Sequence, residues 1–142
     1  MHKVTVSCLS VLLVCLTIYV ETFDAQHLSA RYVVEADNDA ACEVNSRHLD
    51  TLVGRAKDAD DRIFIITRLG KKEKSGILER ARLTQAFSLL TRIKGINSDR
   101  VVTAIGERTA GTNGQLEFYF GSELFLISKA KPGKQICLAC CD

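Results

Sequence analysis

The cysteines are the residues of this chain best suited to chemistry, and three of the six stand near its end as Cys137-x-x-Cys140-Cys141. Thiolates bind zinc, exchange disulfides or cross-link a chain, depending on their spacing and on the redox state of the compartment. A zinc site with four cysteine ligands would need Cys42 as the fourth, and the adjacent Cys140 and Cys141 are awkward ligands of one ion. A thioredoxin-like motif needs its first cysteine at the start of a helix, and no helical pattern follows Cys137.

The N-terminus indicates which compartment these cysteines meet. His2 and Lys3 make a short positive start, and residues 4–20 then carry no charge. This is the pattern of a secretory signal peptide, and the apolar run is slightly short for a membrane-spanning helix of about 20 residues. We therefore predict that residues 1–25 are a cleaved signal peptide or, alternatively, a retained N-terminal anchor, with lipidation of Cys15 as a third option. In each case the body of the protein is exported.

Export favours disulfide bonds over zinc binding, because an exported protein meets an oxidising environment. Removal of residues 1–25 leaves Cys42, Cys137, Cys140 and Cys141. We predict that Cys42 pairs with one cysteine of the tail, and that the other two pair together or stay free. Such a bond closes a loop of about 100 residues, which stabilises the fold by up to about 4 to 5 kcal/mol in the chain-entropy model.

Composition limits the functions open to the chain. Hydrophobic residues make up 46% and charged residues 25% of 142 positions, which is ordinary for one globular domain. The formal net charge of +2 is too small, and the basic residues are too scattered, for a nucleic-acid-binding surface. His48 is the one histidine away from the N-terminal region, so it is predicted to be structural. We predict no catalytic residues, no metal and no cofactor.

Apolar residues recur every three to four positions in two stretches, which predicts two helices. The first helix has Asn45 or Ser46 as its cap and ends at Lys57. The second runs over residues 77–94 and ends before Gly95, where a helix C-cap glycine belongs. Both helices are therefore long enough to cover one face of a sheet.

Five strands are predicted from runs of β-branched and aromatic residues, at 31–36, 63–66, 100–105, 116–120 and 123–127. The second run is uninterrupted by polar residues, which favours a central strand covered on both faces. Gly121-Ser122 joins the last two strands as a tight hairpin. The order β-α-β-α-β-β-β predicts a two-layer α+β sandwich with both helices on one face of a mixed sheet.

A loop between the second strand and the second helix contains Lys71-Lys72-Glu73-Lys74. Three lysines in four positions either form a solvated charged loop or attract an anionic polymer. The sequence favours the solvated loop, because charged runs are usually surface features.

Residues 63–106 carry a specific combination of motifs. A strand ends in Ile66-Thr67-Arg68-Leu69-Gly70, the next helix contains Leu78-Glu79-Arg80-Ala81-Arg82-Leu83, and Gly95-Ile96 and Gly106-Glu107 follow. In these residues the chain resembles the OmpA-like domain, a periplasmic module with which bacterial envelope proteins bind peptidoglycan. The order of elements extends the resemblance to residues 31–128 and leaves 129–142 as a cysteine-bearing tail. It implies a non-catalytic domain in the periplasm or envelope of a bacterium.

The resemblance also implies a ligand site. In the family an Asp at the end of the central strand and an Arg of the following helix hold the zwitterionic diaminopimelate of the stem peptide. Arg82 matches the Arg, and Thr67 stands at the Asp position. Thr67 offers a hydroxyl in place of a carboxylate, so the implied binding is weak. The alternative is that Arg82 is a helix-edge arginine whose stem covers apolar surface and whose head stays in water.

Two functions follow from these observations. The first is an exported, non-catalytic, OmpA-like envelope domain whose partner is peptidoglycan or another envelope protein, and which contacts a membrane only through an uncleaved N-terminal segment. The second rests on the cysteines of the 129–142 tail alone. It is a periplasmic thiol oxidoreductase or a zinc-binding protein.

Overall fold

The computed structural model describes residues 29–74 and 76–140, which form five strands and two helices. The strands are β1 (Tyr32–Val34), β2 (Ile63–Arg68), β3 (Val101–Ile105), β4 (Gly114–Phe120) and β5 (Glu123–Ala130). The helices are α1 (Ala41–Asp58) and α2 (Ile77–Ser88), and α2 continues as a π-helical turn over Leu89–Ile93. The predicted order of elements is confirmed. The predicted signal peptide or anchor lies outside the described residues.

All five strands form one mixed sheet in the order β1-β5-β4-β2-β3. β4 is antiparallel to both β2 and β5, whereas β1 runs parallel to β5 and β3 runs parallel to β2. Gly121, with φ of 57°, makes the turn between β4 and β5, as the hairpin prediction requires. The α+β fold class predicted from the sequence is confirmed.

The helices pack on one face of the sheet and enclose a single core. Leu49 and Leu52 of α1 and Ala86 of α2 join Ile65 of β2 and Phe118 of β4 in one buried cluster. The opposite face of β2 stays half-buried, since its side chains alternate between buried and partly exposed. The prediction that this strand is covered on both faces is therefore wrong, because both helices lie on the same side.

Helix boundaries differ from the predictions at two places. α1 begins at Ala41, before the predicted cap, because the Asn38 side chain accepts a hydrogen bond from the backbone N–H of Ala40 at 2.9 Å and turns the chain into the helix. Asn45 is buried inside α1 and donates to the carbonyl of Cys137 at 2.8 Å. At its other end, α2 changes into the π-helical turn, and Gly95 with φ of 74° ends it.

β5 runs through Ala130, two residues into the predicted tail, and the chain then crosses back toward α1 and α2. Ile136 and Leu138 of this last segment are buried in the core. In the part of the chain that the structure describes, no helix has the length and apolar character needed to cross a membrane.

Candidate binding site

Arg82 lies at the centre of the most elaborate polar site in the described residues. Its side chain is 0% exposed, and its guanidinium forms a bidentate pair with Glu73, from Nη2 to Oε1 at 2.6 Å and from Nη1 to Oε2 at 3.0 Å. The expectation that the head of Arg82 stays in water is wrong. The planar fork of an arginine matches both oxygens of one carboxylate, which makes this a specific carboxylate site.

Two backbone N–H groups complete the contacts of the Glu73 carboxylate. Gly70 N donates to Oε2 at 2.8 Å, and Gly133 N donates to Oε1 at 2.9 Å. Burial by itself would raise the pKa of Glu73, but the hydrogen bonds from Arg82, Gly70 and Gly133 outweigh it and hold the pKa below its ordinary value. Glu73 is therefore an ionised carboxylate inside the protein, with each oxygen bonded to two donors.

The loop that carries Glu73 is fixed from its other side. Arg108 donates through Nη1 to the carbonyls of Gly70 and Glu73 at 2.8 and 2.7 Å. Gly114, at the start of β4, leaves the room that the ion pair occupies, because a Cβ there would collide with Nη1 of Arg82 and Oε2 of Glu73. The site is thus built by a loop, a helix and a strand together.

Thr67, the other predicted ligand residue, does not take part in this arrangement. It is buried on the core face of β2, and its hydroxyl has no hydrogen-bond partner among the residues described. The anion that pairs with Arg82 is Glu73, six positions after Thr67 in the chain. Ligand binding by Arg82 and Thr67 stays a prediction, and any ligand carboxylate would meet Arg82 already occupied by Glu73.

Sequence reasoning missed Glu73, which it placed in a solvated loop. The nine-residue separation from Arg82 matches no helical or strand period, so no local pattern joins the two residues. The one available signal was a single Glu among three lysines, which is compatible with a surface loop. Burial of this glutamate depends on Gly114 and Gly133, two glycines distant in sequence.

The last described segment is tied to the site and to α1. Arg82 donates to the carbonyl of Lys134 from Nη2 at 2.6 Å and from Nε at 3.2 Å. Farther along, a disulfide joins Cys42 to Cys137, with a Cα–Cα distance of 4.9 Å. The prediction that Cys42 pairs with a tail cysteine is confirmed. Cys140 is an exposed free thiol, and Cys141 lies outside the described residues.

This pairing bears on the cysteine-based alternatives. With Cys137 bonded to Cys42, the Cys137-x-x-Cys140 pair is not a free dithiol in this structure, and two of the four proposed zinc ligands are engaged. Among residues 29–74 and 76–140, no three His, Cys, Asp or Glu side chains are grouped so that they could hold a metal ion. His48 is half-buried and stacks on Tyr32 with ring centroids 4.0 Å apart, a packing role as predicted.

A second polar cluster lies on the sheet face opposite the helices. Glu117 is buried there and accepts hydrogen bonds from Nε of Arg68 at 2.7 Å, from Nε2 of Gln115 at 2.6 Å and from the hydroxyl of Tyr119 at 3.0 Å. Burial, and then the hydrogen bond to Glu117, raise the pKa of Tyr119. Because β4 itself and the neighbouring β2 supply every partner of this carboxylate, the cluster is complete within the sheet.

A groove opens above the ion pair, between the lysine-rich loop, the start of α2 and the segment after β5. Its volume is about 580 Å³, within the range of ligand sites. Glu73 and Gly133 form part of its floor. Arg82 itself does not line the groove, whereas its ion-pair partner Glu73 does.

No protein-family model, curated protein or solved structure matches this chain.

Proposed function

We propose that the chain is an exported, non-catalytic binding domain of the bacterial cell envelope, resembling OmpA-like domains, with weak affinity for peptidoglycan. The observation that supports this is the carboxylate site at Arg82. It lies at the position where the resemblance implies a ligand-binding arginine, and its guanidinium holds one carboxylate bidentately. The Cys42–Cys137 disulfide is compatible with export.

The stem peptide of peptidoglycan carries free carboxylates, and one of them would bind Arg82 by exchange with Glu73. The exchange conserves charge, since one carboxylate replaces another beside the same guanidinium. Glu73 must first leave Arg82 and the N–H groups of Gly70 and Gly133. Opening a buried pair costs about 3–5 kcal/mol, which weakens ligand binding by about 100-fold or more. Weak retention is therefore expected.

Sedimentation with purified peptidoglycan sacculi tests the proposal, using oxidised protein recovered from the periplasm of an expression host. We expect a small retained fraction for the wild type and loss of retention in Arg82→Lys, which keeps the cation but not the fork. Arg100→Lys is the matched control. Arg100 also holds backbone carbonyls, those of Ala56 and Asp61 at 2.9 and 2.8 Å, but at another place in the fold.

A competition experiment on the wild type removes any dependence on variant folding. Free diaminopimelate should release the bound protein, whereas lysine, which lacks the second carboxylate of diaminopimelate, should not. Three results would contradict the proposal. The first two are equal retention of the wild type and Arg82→Lys on sacculi, and retention of neither. The third is release of the bound protein by lysine as effectively as by diaminopimelate.

A further inference from the structure

The groove above the ion pair, called here the lysine groove, has an apolar wall. Ile77, Leu78 and Ala81 of α2 face Pro132 across it. Ile77 stands at its edge with 83% of its surface exposed, an unusual position for a large aliphatic side chain. Exposed single aliphatic residues are common, but one that continues the wall of a groove adds apolar surface that a ligand can cover.

The rim of the lysine groove is strongly basic. Lys72 and Lys74 line it on the loop side, and Lys134 follows the lining residue Gly133 in the chain. Arg80 donates to the carbonyl of Gly76, which places a fourth cation at the start of α2. All four are exposed, and none forms a salt bridge within the residues the structure describes.

The nearest acidic side chains do not offset this charge at the surface. Glu73 is engaged inside by Arg82, and Glu79 is buried, with Oε2 accepting from the N–H of Gly76 at 2.6 Å. The groove thus carries two uncompensated lysines, Lys72 and Lys74, beside its apolar wall. Charge complementarity therefore favours an anionic occupant that also carries apolar surface.

We propose that the lysine groove binds an acidic peptide segment of a partner protein, with an aliphatic side chain against Ile77, Leu78 and Pro132 and carboxylates on the lysines. A peptide fits better than a fatty acid, because two separate lysines line the groove and a peptide can present several carboxylates along its chain. A bilayer surface fits less well, because the apolar residues line a groove that a flat surface does not enter. The proposal is independent of carboxylate exchange at Arg82.

Fluorescence anisotropy tests the proposal with oxidised full-length protein. The probe is a fluorescein-labelled peptide of about eight residues, long enough in extended form to span the groove at about 3.3 Å per residue, with one leucine between glutamates. We expect saturable binding that weakens between about 0.1 M and about 1 M salt, as the Debye length falls from about 10 Å to about 3 Å. Peptides with glutamine for glutamate, or serine for leucine, should bind more weakly.

Two pairs of variants locate the site. Lys72→Glu with Lys74→Glu should weaken probe binding by about tenfold or more, since two attractions become repulsions. The control is the double variant Lys57→Glu with Arg62→Glu, which reverses two exposed cations that lie outside the groove. For the apolar wall, Ile77→Ser should weaken binding by about fivefold. Its control is Ile93→Ser, because Ile93 is 73% exposed elsewhere.

Three outcomes would overturn the proposal. Equal loss in the groove and control variants would show nonspecific charge attraction. Equal binding of the glutamine and glutamate peptides would remove the acidic partner. Binding to phosphatidylglycerol vesicles or sacculi that depends on Lys72, Lys74 and Ile77, without peptide binding, would assign the groove to a lipid or a polymer. Ile77→Ser separates this proposal from peptidoglycan binding, because it should weaken peptide binding while leaving retention on sacculi unchanged.

Discussion

Glu73→Gln is the change that most sharply tests the buried ion pair. The substitution keeps the shape of the side chain and removes its charge, so Arg82 is left as an unpaired cation with 0% exposure. The amide oxygen can still accept hydrogen bonds, but the NH2 group then faces donors where the second carboxylate oxygen accepted them. Breaking one side of a buried pair costs about 3–5 kcal/mol, a large part of the stability of a domain this size.

The loss should appear in urea denaturation followed by far-UV circular dichroism, since the chain has no tryptophan for fluorescence. The matched control is Glu79→Gln, because Glu79 is also buried but caps α2 by accepting from the N–H of Gly76, and it pairs with no cation among the described residues. We expect the control to lose about 0.5–2 kcal/mol, the usual value of a helix cap.

The pH dependence supplies an independent check with a definite sign. The folded pKa of Glu73 lies below its unfolded value of about 4.5, so the ion pair contributes stability that is present above pH 4.5 and lost as the pH falls through the folded pKa. The difference in stability between wild type and Glu73→Gln should therefore shrink in acid. Equal stabilities at neutral pH, or a difference independent of pH, would refute the role given to this pair.

Two further predictions concern the elements around the site. Replacing Cys42 and Cys137 by serine should lower the free energy of unfolding, measured by urea denaturation, by up to about 4.7 kcal/mol, the chain-entropy value for a loop of about 100 residues. The control Cys140→Ser should leave it unchanged. If the double variant loses no more than the control, packing of the tail alone would hold it in place and the disulfide would not stabilise the fold. Gly114→Ala should lower Tm, at a cost of about 1–3 kcal/mol, because the added Cβ collides with the ion pair. Gly111→Ala is the control, because a Cβ there meets nothing within 4 Å, and it should leave Tm unchanged. Equal Tm values for the two variants would contradict the packing described.

Periodicity predicted the fold because each element follows its own local rule. The alternation of Leu116, Phe118 and Phe120 places all three in the core, and Gly121 makes the hairpin turn. The start of α1 was misplaced, because Asn38 and not a residue inside the helical pattern turns the chain. Local signals therefore predicted the elements well and their boundaries less well.

The site was predictable only in part, because its members come from distant places in the chain. Arg82 was identified through the resemblance, but burial of its head depends on Glu73 in a loop and on Lys134 after the last strand. No spacing rule joins these residues. The disulfide was predictable because Cys42 and the tail cysteines were the few candidates left after export, whereas the choice of Cys137 depends on the three-dimensional packing of Ile136 and Leu138.

The most direct test of the central claim is an NMR titration of 15N-labelled protein with a soluble peptidoglycan fragment that contains diaminopimelate. The backbone N–H groups of Gly70 and Gly133 donate to the Glu73 carboxylate, and the Nε–H of Arg82 belongs to the guanidinium that pairs with it and donates to the carbonyl of Lys134. All three therefore report on what occupies the site. Exchange of Glu73 for a ligand carboxylate predicts saturable shifts of all three resonances together. Two results would contradict the claim. One is that these resonances stay unchanged at fragment concentrations that saturate retention on sacculi, and the other is that the fragment does not bind at all.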